Sequence, residues 1–224
     1  MSMFDKCIVV IPARGGSKRL PNKNIKLLGG IPLIAHSINY AKAVGFKNII
    51  VSTDNIKIKE VAKDLGVRVI DRPNYLATDT SLTVDAVRHV VETISDKFEY
   101  VVLLQPTNPL RPMDLITKAF QNIVADKYSS LMTVTRTYRK FGKIVNNSFL
   151  PYNYSIGQRS QDLDPLYYEN GLLYITKVDL VLKGELIGDR NFCLIIDHPF
   201  ATVDIDNKDD FEYAEFILEK YNSK

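Results

Sequence analysis

An apolar run, Cys7-Ile8-Val9-Val10-Ile11, opens directly into Pro12-Ala13-Arg14-Gly15-Gly16-Ser17-Lys18-Arg19-Leu20-Pro21-Asn22-Lys23-Asn24, and this junction constrains the fold more than any other stretch. The run reads as a buried strand, since β-branched side chains suit a pleated surface packed on both faces. Gly15 and Gly16 let the backbone turn sharply and bring N–H donors close to an anion. Arg14, Lys18, Arg19 and Lys23 then set four cations within ten residues. Together these features suit a polyphosphate, positioned by backbone donors and neutralised by the cations. The plainer reading is a solvated basic turn, but four like charges on so short a loop repel one another unless something compensates them. Neither of two common phosphate motifs is present: three spaced glycines leading straight into a helix, or Gly-x-x-x-x-Gly-Lys-Ser/Thr. A nucleoside triphosphate held by another kind of loop is therefore expected.

From Lys6 to about Ser130 short β-branched runs alternate with amphipathic stretches, the pattern of a parallel sheet with crossover helices. Strands are predicted over Lys6 to Ile11, Asn48 to Ser52, Arg68 to Ile70 and Tyr100 to Leu104. Ile58, Val61, Ala62 and Leu65 mark one helix face, and Val84, Val87, Val91 and Ile94 another, at three- and four-residue spacing. Pro112 followed by Asp114 predicts a third helix running to about Lys127. Ligands of such sheets gather at the carboxyl ends of the strands, where the basic loop, Asp54, Arg72 and Gln105 all fall. A strand over Leu131 to Thr135 follows. From about 136 to 191 tyrosines and phenylalanines then alternate with polar residues without helical period, as in an irregular insertion. Strands at Leu172 to Thr176, Phe192 to Ile196 and Ala201 to Asp204 are predicted next. A closing amphipathic helix, Asp209 to about Lys220, is expected to dock on the sheet through Phe211, Ala214, Ile217, Leu218 and Tyr221.

At 224 residues the chain fits a single domain, 1–224, able to bury about 70% of its unfolded surface. The formal charge of +3 is spread among interspersed acids and bases beyond the first loop, which argues against a nucleic-acid or membrane surface. Cys7 and Cys193 lie in strand-like runs and are expected to be buried thiols. No apolar run reaches membrane-spanning length, a cytoplasmic location is expected, and the sequons at Asn146 and Asn153 are read as accidental. His36, His89 and His198 show no ligand spacing and are assigned no catalytic role.

Five further motifs extend the first: SerThrAsp at 52 to 54, ArgPro at 72 and 73, LeuGlnProThrAsnProLeuArg at 104 to 111, GluAsnGly at 169 to 171, and ValAspIleAsp at 203 to 206. With the first motif, IPARGGSKRLPNKN, they resemble in identity and order the acylneuraminate cytidylyltransferases, the CMP-sialic acid synthetases. The resemblance implies an α/β fold: a Rossmann-like, mostly parallel sheet with flanking helices, of the nucleotide-diphospho-sugar transferase type. It also implies that the insertion serves as a sugar-binding and dimerisation arm, making the protein a homodimer. The activity implied is transfer of a cytidylyl group from CTP to a nonulosonic, sialic-acid-like sugar, giving the CMP-sugar and pyrophosphate for surface glycans such as capsule or lipopolysaccharide. Legionaminic or pseudaminic acid as the substrate, or a non-catalytic nucleotide-sugar sensor of the same fold, are the alternatives.

The resemblance assigns roles residue by residue. Arg14 and Lys18 would be the catalytic phosphate ligands, with Ala13, Gly15, Ser17 and Asn24 completing the loop around the nucleotide. Arg72, Thr80, Ser81 and Thr83 would line the base and ribose, although Thr80 or Ser81 can equally cap a helix. Gln105, Asn170 and Tyr174 would contact sugar, and Arg159 the substrate carboxylate, to which a planar guanidinium fork is matched. Arg111 is either a substrate ligand or a charge at a helix start. Asp204 and Asp206, expected on one face of a strand end, would share a Mg²⁺ ion with the triphosphate. No general base is identified.

Overall fold

The computed structural model describes residues 3–123 and 127–222. In chain order the elements are β1 (Cys7–Pro12), β2 (Leu27–Leu28), β3 (Ile31–Pro32), α1 (Leu33–Ala43), β4 (Ile49–Thr53), α2 (Ile56–Asp64), β5 (Arg68–Asp71), α3 (Thr83–Thr93) and β6 (Tyr100–Leu103). There follow α4 (Leu115–Ile123), β7 (Ser130–Thr137), β8 (Gly142–Val145), β9 (Ser148–Pro151), β10 (Leu166–Lys177), α5 (Val178–Leu182), β11 (Asn191–Ile195) and α6 (Lys208–Asn222). One seven-stranded sheet, in the order β11-β7-β10-β6-β1-β4-β5, organises the chain. β1 pairs in parallel with β4 and β6, β4 with β5, and β11 with β7, while β10 runs antiparallel to both its neighbours. The sheet is thus mostly parallel, as expected.

β1 shows why the sheet takes helices on both sides. Cys7, Val9 and Ile11 point into a core shared with Ile34 and Ile38 of α1, Ile58 and Ala62 of α2, and Leu115 and Ile116 of α4. Ile8 and Val10 point the other way, into a core closed by Val87 and Val90 of α3 and Val181 of α5. Every one of these strand residues is sealed from solvent, so a run apolar at each position is what this location requires.

Three expectations need correction. The stretch expected as a strand over Ala201 to Asp204 is instead a 3-10 turn over Pro199–Thr202, because Pro199 cannot donate to a ladder and the His198 ring nitrogen accepts from the Phe200 amide. The last helix docks elsewhere than expected. Phe211, Ala214, Ile217 and Leu218 pack on Leu20, Leu28, Leu33, Leu110, Val203 and Ile205, so α6 props the basic loop and the β2–β3 hairpin rather than the sheet. Its start is closed by reciprocal bonds between Asn207 and Asp210. Cys7 is buried, and burial pushes its thiol up to about 12, whereas Cys193 is exposed because it lies on the edge strand β11.

The helix predicted from Pro112 begins at Leu115 after one turn, and its expected last turn falls on 124–126, outside the described residues. The stretch expected as an irregular insertion over 136–191 is composite. The β8–β9 hairpin forms a separate two-stranded sheet and is exposed almost throughout, but the 12-residue strand β10 is threaded into the main sheet between β6 and β7. Among the described residues no helix is long and apolar enough to cross a membrane.

Candidate functional site

The carboxyl ends of β1, β4, β5 and β6 meet at one edge of the sheet, and there an open cleft with about 900 Å³ of empty space lies between the basic loop and the segment leading into α3. One wall is the basic loop, contributing Arg14, Ser17, Lys18, Arg19, Lys23 and Asn24. Arg72, Thr78, Ser81 and Thr83 form the other, and Gln105, Thr107 and Asp206 close the end.

The loop's shape is held from beneath. Gly15 donates its N–H to Asp54 Oδ1 at 2.9 Å. A Cβ at Gly15 would lie 2.6 Å from the Asn55 amide, which is occupied capping α2, so only glycine allows the loop to approach β4 this closely. Asn24, nearly buried, donates to the Arg14 carbonyl at 2.9 Å and so fixes the backbone from which that guanidinium springs. Ala13 is buried and continues the β1 pattern by bonding the Ser52 carbonyl.

The four cations are compensated in two pairs. Arg14 reaches Asp79 at 2.8 Å, and Lys18 pairs with the same carboxylate. Arg19 reaches Asp206 at 2.7 Å, with Lys23 on its second oxygen at 3.1 Å. Lys18 and then Arg14 hold the Asp79 carboxyl below the usual carboxylate range. Asp79 has no place among the residues singled out in the sequence. Its signal there is a lone acid inside the hydroxyl cluster Thr78, Thr80 and Ser81.

Arg72 is buried at the end of β5 and spends two of its donors on Ser52, 2.7 Å to the carbonyl and 3.1 Å to the hydroxyl. Burial lowers its pKa to about 10, against the pull of Asp54. Thr83 begins α3, whose N-terminus has no side-chain cap, so neither Thr80 nor Ser81 serves as one. Thr80 bonds to Thr78 and is not part of the cleft lining.

On the sugar side the structure gathers fewer of the expected groups. Gln105 lines the cleft. The Asn170 amide is spent internally, accepting from the Thr133 hydroxyl at 2.6 Å and the Leu172 N–H at 3.2 Å and donating to the Thr135 hydroxyl at 3.0 Å. Tyr174, also buried, donates to Glu169, and burial followed by that carboxylate raises its pKa strongly. Both sit on β10 inside the sheet, which accounts for these internal commitments. Arg159 lies outside the cleft on an exposed turn, bound through two nitrogens to Asp162 at 2.7 and 3.2 Å. Arg111 is a buried hub that donates to the Leu172 carbonyl, the Ser37 hydroxyl and the Gln105 carbonyl, so it holds the strand ends together beneath the cleft.

Asp204 and Asp206 are near enough to interact, but no strand ladder sets their directions, and of the two only Asp206 lines the cleft. Val203 and Ile205 are buried against α6 and Ala201 in the main sheet core, while Thr202 and Asp204 face outward, and the Ile205 N–H bonds Thr107 O at 2.8 Å. Partial desolvation and then Asp206 raise the Asp204 carboxyl, with Thr107 and Lys23 pulling the other way. Among the described residues no three His, Cys, Asp or Glu side chains assemble as a metal cage. Two crowded carboxylates beside a cleft lined by cations fit a hard ion completed by substrate oxygens and water, which is how magnesium is commonly held.

A family profile described as "Cytidylyltransferase" matches residues 8–215. An N-acylneuraminate cytidylyltransferase of Streptococcus agalactiae serotype III (strain NEM316) is 33% identical over 215 residues, covering 92% of this chain and 52% of the relative. A pseudaminic acid cytidylyltransferase of Campylobacter jejuni subsp. jejuni serotype O:23/36 (strain 81-176) is 31% identical over 227 residues, covering 97% of each. The chain thus spans about half the length of the streptococcal relative and nearly all of the Campylobacter one. Among solved structures, one of CMP:2-keto-3-deoxy-manno-octonic acid synthetase complexed with CTP superposes with a TM-score of 0.72 at 17% identity, covering 96% of this chain and 99% of that one. At that identity the likeness is one of fold.

Proposed function

The chain belongs to the cytidylyltransferase family, and from that premise we propose that it transfers CMP from CTP to the anomeric hydroxyl of a nonulosonic acid. The sugar hydroxyl oxygen attacks the α-phosphorus and gives its proton to solvent water, the bond from that phosphorus to the oxygen bridging to the β-phosphate breaks, and pyrophosphate leaves with the electron pair. The observation that carries this reading is the cleft itself, with four cations on one wall and hydroxyls and a buried arginine on the other. Arg14 and Lys18 stabilise charge on the triphosphate, the dominant device in phosphoryl-type transfer. Ser81, Thr83 and Arg72 line the nucleoside end, and Gln105 presents an amide to the sugar.

Asp204 and Asp206 would hold Mg²⁺, which when bound would neutralise triphosphate charge. The exposed apolar hairpin supports a second copy of the chain as partner, and dependence on CTP fits a cytoplasmic enzyme. The relatives named for sialic and pseudaminic acid leave two sugar classes in play. Pyrophosphate release from CTP with Mg²⁺, measured across N-acetylneuraminic, legionaminic and pseudaminic acids, tests the reading. Release above the sugar-free rate with at least one acid is expected, and no release with any of them would overturn it.

A further inference from the structure

Asp79 is engaged in a way that its own segment does not require. The turn around it is tied by hydroxyls: Ser81 Oγ donates to the Tyr75 carbonyl at 3.0 Å, accepts from the Thr78 N–H at 3.1 Å and lies 2.7 Å from the Thr78 hydroxyl. The Asp79 carboxylate takes no part in that knot. Among the described residues its hydrogen-bond and ion-pair partners are Arg14 and Lys18, across the mouth of the cleft.

We infer that Asp79 is a displaceable occupant of the phosphate subsite: its two oxygens lie where triphosphate oxygens bind, and the nucleotide takes Arg14 and Lys18 away from it. This inference rests on the proposed function. A triphosphate and a carboxylate cannot both lie within hydrogen-bond distance of the same two cations without strong like-charge repulsion, so one must leave. Exposure decides which. Lys18 is 81% exposed and Asp79 42%, and pairs so open to water are weak and easily exchanged.

The second pair differs in this respect. The Lys23 side chain is only 11% exposed and also donates to the Ile205 carbonyl at 2.7 Å, so the Asp206 end of the loop is anchored while the Asp79 end is free to exchange. The arrangement has a further consequence for the cleft. Asp79 shares a turn with Thr78 and Ser81, which line the far wall, so its release loosens that wall from the loop when the nucleotide arrives, leaving the Arg14 contact to the Ala77 carbonyl at 3.5 Å. Until then Asp79 supplies the compensation that the cationic loop needs.

The test compares the parent, Lys18→Ala and Asp79→Asn by calorimetric titration with inorganic tripolyphosphate, then CTP, at low salt without metal. The Lys18→Ala arm examines the loop as a triphosphate site, and binding there is expected to weaken at least about tenfold. Asp79→Asn is expected to bind both ligands about three- to tenfold more tightly, because two weak exposed pairs no longer have to be broken. Without ligand, trypsin is expected to cut this variant faster after Lys18 or Arg19, and tripolyphosphate to restore protection. Unchanged or weaker binding by Asp79→Asn, with Lys18→Ala still impaired, would overturn the inference and leave the loop assignment standing. Equal binding by the parent and Lys18→Ala would overturn both.

Discussion

Asp204 and Asp206 are two residues apart and have different neighbours, so the same substitution at each is expected to act differently. The Asp204 carboxyl is raised in the folded protein, chiefly by desolvation. Its ionised form therefore costs stability above the folded pKa, and the cost is relieved as pH falls through that pKa. Asp204→Asn should hold or raise the metal-free melting temperature at neutral pH, and the gain should shrink toward acid pH. Asp206 carries Arg19 and the largely buried Lys23. Asp206→Asn should lower the melting point by a few degrees, about 1 kcal/mol for half-exposed pairs. Both should cut pyrophosphate release about a hundredfold or more if they act on the triphosphate as proposed. Thermal melts over a pH series, with parallel turnover assays, check all of this; a fall in melting point for Asp204→Asn would contradict the desolvation account. At this scale the sequence reveals which residues are chemical but not what each is spent on. Asp-x-Asp and the 104–111 motif stand out on reading, yet only packing shows that Asn108 and Arg111 bond backbone carbonyls while Gln105 alone of the three faces the cleft.

β10 shows the same limit at the level of an element. Its register against β7 shifts between Glu169 and Tyr174, and at that irregularity Gly171 takes a φ of +73°. A Cβ there would lie 2.5 Å from the Asn108 side chain, whose amide donates to the Asn170 and Val203 carbonyls at 3.0 Å each. Gly171→Ala should therefore cost about 2 kcal/mol or more, combining a strained left-handed backbone with a displaced buried amide. Urea unfolding checks the figure, and a loss below about 0.5 kcal/mol would refute the close approach. Asn-Gly inside an apolar strand is a bulge signal that can be read without a structure. The strand expected over 201–204 failed for a complementary reason. Ala201, Val203 and Ile205 alternate with exposed residues as a strand would, but the periodicity comes from packing of Ala201 in the main core and of Val203 and Ile205 against α6, with no neighbouring strand to pair with.

For the whole molecule, the hairpin of β8 and β9 leaves Ile144, Phe149, Leu150 and the following Tyr152 and Ile156 exposed, Ile144 by 77%. So much apolar surface on one projection supports a second copy of the chain as the proposed partner. Light scattering should give about twice the 25.4 kDa chain mass, and Ile144→Asp should shift the protein toward monomer. A parent mass near one chain at micromolar concentration would remove the dimer from the proposal. The parallel half of the sheet was legible because each strand is followed by its own helix. In the other half the strands were legible one by one but their order was not, because β10 enters between two strands that precede it in the chain. That insertion has a kinetic meaning. As the chain leaves the ribosome, β6 and β7 are complete some thirty residues before the strand that joins them, and both offer unpaired edges until it arrives. The first half of the sheet can form early from neighbouring segments, but its union with β7 and β11 waits for a long loop to close. The most aggregation-prone moment in the protein's life should therefore be the interval during synthesis when residues 138–165 are being made.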